Sequence, residues 1–222
     1  FWQQTMTKIK ICGITNLEDA ILSVRFGADA LGFNFYALSP RYTPPGIVRE
    51  IVNSLPGETA KVGVFVNEKL AVIEGIAEIA KLTAIQLHGE ETPEFAANVR
   101  EKIGLPVIKA FRVSPDFKPA NVLEYDVDTV LLDAYSPKEH GGTGETFDWK
   151  VAEEVKELVG QMFLAGGLRP DNVGTAIRLI NPYGVDVASG VEREKGKKDP
   201  VALEQFIKGA ITLSEIYQRD NN

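Results

Sequence analysis

Two residues that could exchange protons with a substrate each close a short apolar run. Cys12 ends the first run, and alternation along a strand places it on the same face as Lys10, opposite Ile9 and Ile11. A free cysteine is either a small core residue or, as a thiolate, a base or nucleophile. Asp133 directly follows two leucines, where a carboxylate is costly to bury unless it is paired or takes part in chemistry. Position alone leaves both interpretations open for each residue.

Three further polar residues lie at or near other apolar runs. His88 is a candidate proton donor, a ligand partner or a hydrogen-bonded strand-end histidine, and the last two are favoured. Arg41 lies in a loop, where it is either solvated or grips a carboxylate with its planar guanidinium. Asp186 lies inside its run, so a structural partner such as Lys10 or Lys109 is expected for it.

Glycine-bearing turns follow the last three apolar runs. The first is the Gly-Gly-Thr-Gly of residues 141–144, the second contains Gly166 and Gly167, and the third contains Ser189 and Gly190. Without a side chain, glycine lets backbone N–H groups approach a phosphate closely, and a helix N-terminus favours negative charge. These turns predict a phosphate site made of backbone donors, which can hold an anion although the chain carries a net charge of −7.

The elements that must position these residues are eight short runs rich in Val, Ile, Leu and Phe. They recur at intervals of about 20–35 residues, the length of one strand–helix unit. The runs are 9–12, 30–35, 61–66, 84–88, 106–111, 129–133, 162–165 and 185–188. Helical patterns lie between the runs. One helix is capped by Asn16 and closed by Gly27, a second covers 68–82, and a last one covers about 199–217. Two further helices are expected to begin at Thr92-Pro93 and near Pro170, with the proline in the first turn of each.

Strict alternation of strand and helix predicts an α/β fold with a parallel sheet. An open doubly wound sheet also fits the pattern. However, no run is polar enough for an exposed edge strand, and the glycine turns follow the last strands, where barrels place phosphate sites. The favoured fold is therefore a single (β/α)8 TIM barrel.

The composition fits one domain spanning residues 1–222, with residues 1–6 as a candidate leader and Met6 as a candidate natural start. One cysteine excludes an internal disulfide, and two distant histidines form no recognisable zinc pattern. The net charge of −7 argues against nucleic acid as a partner. No apolar run approaches the ~20 residues of a membrane helix and no signal peptide is recognisable, so a cytoplasmic protein without membrane contact is expected.

Seven segments together resemble the phosphoribosylanthranilate isomerase family, over residues 8 to about 209. They are KICGIT, GADALGFNFY with SPRY, VGVFVN, IQLHGEE, LLDAYS followed by GGTGETFDW, LAGGLRPDNV, and VDVASGVE with GKKDP. The resemblance implies an enzyme of tryptophan biosynthesis that catalyses an Amadori rearrangement. The substrate would be N-(5-phosphoribosyl)anthranilate and the product the corresponding carboxyphenylamino-deoxyribulose phosphate. No cofactor and no metal are implied.

The resemblance also assigns roles to single residues. It implies that Cys12 is the general base, that Asp133 is the general acid, and that Arg41 contacts the anthranilate carboxylate. His88 and Asp186 correspond to positions that line the pocket, with binding or supporting roles. The phosphate is expected on backbone groups of Gly166, Gly167, Ser189 and Gly190. Residues 134–136 receive no role, and a monomer or a homodimer is expected.

Other barrel proteins stay as alternatives at this point. An enzyme similar to indole-3-glycerol-phosphate synthase needs a strand-end lysine as acid, for which Lys109 is placed, but it gives Cys12 no role. A pentose-phosphate epimerase should show metal ligands, and the two histidines are badly placed for that. A non-catalytic barrel that serves as a binding module would need neither Cys12 nor Asp133.

Overall fold

The computed structural model describes residues 6–134 and 149–220, without the side chains of Ala134 and of residues 216–220. Eight parallel strands close into a barrel in chain order: β1 Lys8–Cys12, β2 Ala30–Asn34, β3 Ala60–Phe65, β4 Ala84–Leu87, β5 Val107–Val113, β6 Thr129–Ala134, β7 Met162–Leu164 and β8 Gly184–Val187. Closure is direct, because β1 pairs with β8 over four residues, from Lys8↔Gly184 to Ile11↔Val187. The predicted barrel is confirmed, and the open sheet is excluded.

The helices that surround the barrel begin and end at recognisable signals. Asn16 caps α1 by accepting from the backbone N–H of Asp19, and Gly27 ends it with a φ of 115°. Thr92 caps α4 in the same way, with Pro93 as the first helical residue. The helices are α1 Leu17–Phe26, α2 Pro45–Asn53, α3 Leu70–Ala80, α4 Pro93–Ile103, α5 Trp149–Leu158, α6 Val173–Ile180 and α7 Pro200–Asp220.

Two connections differ from the regular alternation. Between β5 and β6 the described chain forms only a 3-10 helix, Pro119–Glu124, where a regular barrel has an α-helix. Before α6, Pro170 lies outside the helix, which begins at Val173 with Asn172 as its cap residue. The expected first-turn position of Pro170 is therefore wrong, and the loop after β7 is correspondingly longer.

Alternation along the strands separates two apolar regions. Lys10 lies in register with Ala30, and Cys12 with Gly32, so these side chains share the inner face of the barrel. Ile9 and Ile11 point the other way, into the large core between strands and helices. The inner face is filled lower down by a small apolar layer: Ala30, Val62, Ala84, Ile108, Ala110, Leu131, Phe163 and Ala165. Polar inner residues are therefore confined to the remaining levels of the barrel.

A short antiparallel hairpin after β8 was not predicted. A 3-10 helix, Ser189–Val191, leads into β9 Glu192–Glu194 and β10 Lys197–Lys198. Gly196 makes the turn with a φ of 81°, and its carbonyl accepts from the Thr15 hydroxyl at 2.5 Å. The hairpin is thus fixed beside the end of β1. Among the described residues no helix is both long enough and apolar enough to span a membrane.

Candidate active site

A cavity of about 540 Å³ opens at the carboxyl ends of the barrel strands. The expected location of a barrel active site is this end. Eight of the nine predicted site residues line the cavity: Cys12, Arg41, His88, Asp133, Gly166, Gly167, Asp186 and Ser189. The ninth, Gly190, lies beside the wall without lining it. The β2–α2 loop adds Tyr36 and Leu38, and the hairpin adds Lys195, none of which was predicted.

Cys12 lies against a buried ion pair. Nζ of Lys10 donates to Oδ1 of Asp186 at 2.7 Å, which confirms the predicted structural partner of Asp186. Gly32, opposite Cys12 on β2, makes room for both groups. A Cβ there would lie 2.7 Å from the Cys12 Sγ and 3.2 Å from the Lys10 Nζ. Any larger residue at that position would displace the thiol or the ammonium group.

The ion pair sets the charges around the thiol. Burial raises the pKa of the Cys12 thiol, and the Asp186 carboxylate raises it further, while the charge of Lys10 lowers it only in part. Burial lowers the pKa of Lys10, but the charges of Asp186 and Cys12 outweigh burial, so the pKa of Lys10 is raised overall. The ammonium group therefore stays charged, and together with Lys198 it favours a Cys12 thiolate when one forms.

His88 and Asp133 meet across the mouth. His88 follows β4 directly, and its Nε2 lies 3.2 Å from Oδ2 of Asp133 at the end of β6. Its other ring nitrogen, Nδ1, lies 2.8 Å from Nε2 of Gln86. Both predicted residues are mostly buried, with side-chain exposures of 13% and 7%. The sequence prediction gave Gln86 no role, because a glutamine inside a strand has no distinctive pattern.

Arg41 is held at the mouth by a residue that the sequence analysis did not single out. Its Nε and Nη2 donate to the two carboxylate oxygens of Glu192, at 2.8 and 2.7 Å. Gly13, in the turn after β1, has a φ of 74°, and a Cβ there would lie 2.5 Å from the Arg41 Cδ. The left-handed turn and the missing side chain at Gly13 thus let the arginine pass over β1.

Lys198 completes this group from the hairpin. Its Nζ donates to the carbonyl oxygens of Cys12 and Ala188, at 2.6 and 3.1 Å, and to Oε1 of Glu192 at 3.1 Å. Burial lowers the pKa of Lys198, although Glu192 opposes that effect. Burial raises the pKa of Glu192, but hydrogen bonds and charges from Arg41 and Lys198 outweigh it and lower the pKa overall. The hairpin therefore supports both Cys12 and Arg41.

Two of the predicted phosphate turns also border the cavity. Gly166 and Gly167 both have positive φ, at 78° and 66°. The Asn172 side chain donates to the Gly167 carbonyl at 2.9 Å, which ties this turn to the start of α6. Gly190 allows close packing, since a Cβ there would lie 1.9 Å from the Leu168 carbonyl oxygen. The third predicted turn, residues 141–144, lies outside the described residues.

Lys109 lies away from this cavity. Its Nζ donates to the carbonyl of Gly89 at 2.7 Å and pairs with Glu91 at 2.8 Å, and it lines a separate, smaller cavity. Lys109 therefore cannot be the acid at the mouth that an enzyme similar to indole-3-glycerol-phosphate synthase would need. Over residues 6–134 and 149–220, His, Cys, Asp and Glu side chains form no group of three that could hold a metal ion.

Comparison with known proteins shows the family of this chain. The model of a family described as N-(5'phosphoribosyl)anthranilate (PRA) isomerase matches residues 9–209, nearly the whole chain. The chain belongs to the phosphoribosylanthranilate isomerase family. It is therefore an enzyme, an isomerase of tryptophan biosynthesis, and the alternative of a non-catalytic barrel is wrong.

Individual members of the isomerase family match over almost their whole length. The N-(5'-phosphoribosyl)anthranilate isomerase of Pelobacter propionicus is 50% identical over 203 residues, 91% of this chain and 95% of that protein. The crystal structure of the enzyme from Thermotoga maritima is 45% identical with a TM-score of 0.86, covering 92% and 98% of the two chains. A phosphoribosylanthranilate isomerase in complex with reduced 1-(o-carboxyphenylamino)-1-deoxyribulose 5-phosphate is 43% identical with a TM-score of 0.83, at the same coverage.

Proposed function

We propose that this enzyme converts N-(5-phosphoribosyl)anthranilate into 1-(2-carboxyphenylamino)-1-deoxyribulose 5-phosphate, with Asp133 as general acid and Cys12 as general base. The observation that carries this proposal is that both side chains line one cavity, from β6 and β1 respectively. A proton donor and a proton acceptor on separate strands can flank one sugar. The same cavity brings Arg41 and the glycine turns around that sugar.

The first step opens the furanose ring. Asp133 in its protonated form gives its proton to the ring oxygen, while the nitrogen lone pair forms a C=N bond at carbon 1 and the carbon–oxygen bond breaks. The products are a protonated Schiff base and a hydroxyl on carbon 4, and Asp133 is left as a carboxylate. Its neighbour His88 is within hydrogen-bonding distance of that carboxylate, at 3.2 Å.

The second step removes the hydrogen on carbon 2 of the sugar. The cationic Schiff base acidifies this hydrogen, and Cys12 as a thiolate takes it, giving an enolamine that relaxes to the ketone. Because burial raises the pKa of the Cys12 thiol, the thiolate is scarce at neutral pH but is a strong base once formed. The positive charge of the Lys10 ammonium group stabilises the thiolate when it forms. In the conversion to the ketone the enol hydroxyl loses its proton and carbon 1 gains one. The overall reaction is an isomerisation, with no net oxidation or reduction, and it balances without a cofactor or a metal.

The ends of the substrate are held by different chemistry. The amide nitrogens of Gly166, Gly167 and Ser189 have no acceptor among the described residues and border the cavity, so they are available to a phosphate. Arg41 also lines the cavity, and its guanidinium supplies charge for the anthranilate carboxylate. Glu192 accepts from Nε and Nη2 of Arg41 and so fixes the position of the guanidinium for that contact.

The test measures the consumption of freshly made substrate, which is monitored through the loss of its anthranilate-type fluorescence. We expect rapid loss with the wild-type enzyme. Cys12→Ser and Asp133→Asn should each lower kcat by at least about a hundredfold with little change in KM, because both groups act in the transition state. Asp126→Asn makes the same change at an exposed aspartate before β6, at the far end of the barrel, and should keep full activity. Unchanged fluorescence with wild type would refute the proposed reaction, and a fully active Cys12→Ser would refute the base.

A further inference from the structure

A chain of three polar side chains runs from the barrel interior to the mouth. Nε2 of Gln86, a fully buried residue of β4, lies 2.8 Å from Nδ1 of His88. Nε2 of His88 lies 3.2 Å from Oδ2 of Asp133. Among the described residues, Oε1 of Gln86 is buried and has no hydrogen-bond partner. The amide of Gln86 is thus tied to one neighbour, His88.

The orphaned oxygen decides which way the amide faces. Rotating the Gln86 amide by half a turn would put Oε1 against His88 and leave the NH2 group, with two donors, in the same space without a partner. Buried N–H groups without a partner are rarer in proteins than carbonyl oxygens with unused lone pairs. The observed arrangement leaves one acceptor and one N–H unused, whereas the rotated one leaves both N–H donors unused, so the observed arrangement is favoured. The Gln86 amide donates to Nδ1 of His88.

The direction of that hydrogen bond fixes the proton on the imidazole. A ring nitrogen that accepts a hydrogen bond carries no proton, so His88 is neutral and has its proton on Nε2. Nε2–H then donates to Oδ2 of Asp133. Because Oδ2 is an acceptor whether Asp133 is ionised or not, the acid proton belongs on Oδ1. When that proton leaves, the same Nε2–H stabilises the carboxylate that forms.

We propose that Gln86 is a positioning residue that selects the Nε2–H tautomer of His88 and so directs the acid proton of Asp133 toward the substrate. The inference rests on the proposed role of Asp133 as general acid. The opposite tautomer would make Nε2 an acceptor and draw the proton of Asp133 to Oδ2, into a hydrogen bond with His88. A proton on both nitrogens would pair an imidazolium with Asp133 and keep the aspartate ionised, unable to donate.

Nitrogen-15 NMR of the histidine side chains reads the tautomer directly and does not depend on activity. The chain has two histidines, so the ring signals that vanish in His88→Asn belong to His88. In the wild-type enzyme we expect a neutral His88 ring with its proton on Nε2. In Gln86→Glu, recorded at a pH where the new carboxyl is ionised, the carboxylate requires a donor, so the proton should appear on Nδ1. A wild-type ring protonated on Nδ1, or on both nitrogens, overturns the proposal.

Kinetics test the consequence. Gln86→Leu, which matches the volume but cannot select a tautomer, should lower kcat about tenfold with KM within about twofold. Gln86→Glu, which selects the wrong tautomer, should lower kcat further. The matched controls Gln205→Leu and Gln205→Glu, at an exposed position of α7, should leave both constants unchanged. A folded Gln86→Glu with wild-type kcat, or a change confined to KM, overturns the proposal.

The two proposals can fail separately. If the wild-type enzyme does not consume N-(5-phosphoribosyl)anthranilate, the proposed function is wrong, while the NMR spectrum still decides the His88 tautomer. If the wild type is active but His88 has the Nδ1–H tautomer, only the role of Gln86 is wrong. Circular dichroism and the melting temperature establish that each Gln86 variant is folded, and the wild-type spectrum decides the question if none of them is.

Discussion

Replacing Glu192 with glutamine removes the anion that two buried cations share. Oε1 accepts from Nε of Arg41 at 2.8 Å, from Nζ of Lys198 at 3.1 Å and from N of Gly196 at 3.3 Å, and Oε2 accepts from Nη2 of Arg41 at 2.7 Å. A glutamine keeps one acceptor oxygen but turns its NH2 group against another donor. We expect Glu192→Gln to lower both the free energy of unfolding and the affinity for the substrate.

The magnitude follows from burial. The side chains of Arg41 and Glu192 are 9% and 4% exposed, so water screens their interaction little. Removing one partner of a buried ion pair costs about 3–5 kcal/mol, because the other charge stays buried. For a chain of 222 residues this corresponds to a fall in Tm of about 10 °C. Glu194→Gln is the matched control in the same strand. Glu194 is 59% exposed in its pair with Lys197, so water screens the pair and its loss should change the stability little.

The assay is urea denaturation of both variants at a series of pH values, with KM measured alongside. Arg41 and Lys198 hold the pKa of Glu192 below its ordinary value although burial opposes them. A carboxyl with a lowered pKa contributes stability that is fully present above its unfolded-state pKa and is lost as the pH falls through its folded-state pKa. The difference in free energy of unfolding between wild type and Glu192→Gln should therefore have its full value at pH 7 and should disappear in acid.

Two results would refute this reasoning. One is a free energy of unfolding of Glu192→Gln that lies within about 1 kcal/mol of that of the Glu194→Gln control at pH 7. This result would mean that the buried pair contributes no more stability than an exposed pair does. The other is a stability difference that persists in acid, which would mean that shape and not charge accounts for the loss. In the expected case KM rises about tenfold in Glu192→Gln, since Arg41 loses its fixed position.

The remaining predictions concern the thiol and the phosphate loop. Lys10→Met removes the ammonium group beside Cys12, so the pH midpoint for alkylation of Cys12 by iodoacetamide should move further above the ordinary thiol range; an unchanged or lower midpoint would contradict the electrostatic role of Lys10. Gly190→Ala places a methyl group 1.9 Å from the Leu168 carbonyl oxygen, so the loop must move and KM should rise about tenfold. Gly57→Ala is its control, with nothing within 4 Å of the new methyl, and equal KM values in the two variants would count against the phosphate assignment.

The strands could be predicted because each is a buried apolar run between polar turns, and each observed end lies within two residues of the prediction. The hairpin could not, because β9 and β10 are made of Glu, Arg and Lys and have no alternation of apolar and polar residues. What holds the hairpin in place is a set of distant partners, such as the hydroxyl of Thr15 on the Gly196 carbonyl. Local sequence carries no sign of that contact.

Some contacts of the site could also be predicted from the sequence, and others could not. The pair of Lys10 and Asp186 could be predicted, because a charged residue inside a buried strand needs a partner on a neighbouring inner face. The pair of Arg41 and Glu192 joins residues 151 positions apart, and the chain has 31 Asp and Glu residues from which a partner could come. Gln86 was missed for a different reason, since its importance depends on which atom of His88 it faces.

The distribution of charge explains how an acidic chain can hold an anionic substrate. The whole chain carries −7, yet the buried cluster below the mouth has three cations, Lys10, Arg41 and Lys198, against two carboxylates, Asp186 and Glu192. Buried charges act more strongly at the cavity than exposed acids, whose fields are screened within about 8–10 Å. The cluster, and not the net charge, therefore sets the local field.

This distinction changes how the Glu192→Gln result should be interpreted. If net charge alone governed binding, removing a carboxylate would lower KM. The structure predicts the opposite, for two reasons. Without Glu192, burial lowers the pKa of Lys198 unopposed by its main partner, so the lysine tends to lose its charge and the cluster gains little. Arg41 also loses one of the two hydrogen bonds that hold its guanidinium at the cavity wall. A lower KM in Glu192→Gln would therefore show that the change in the local electrostatic field affects binding more than the loss of the fixed position of Arg41 does.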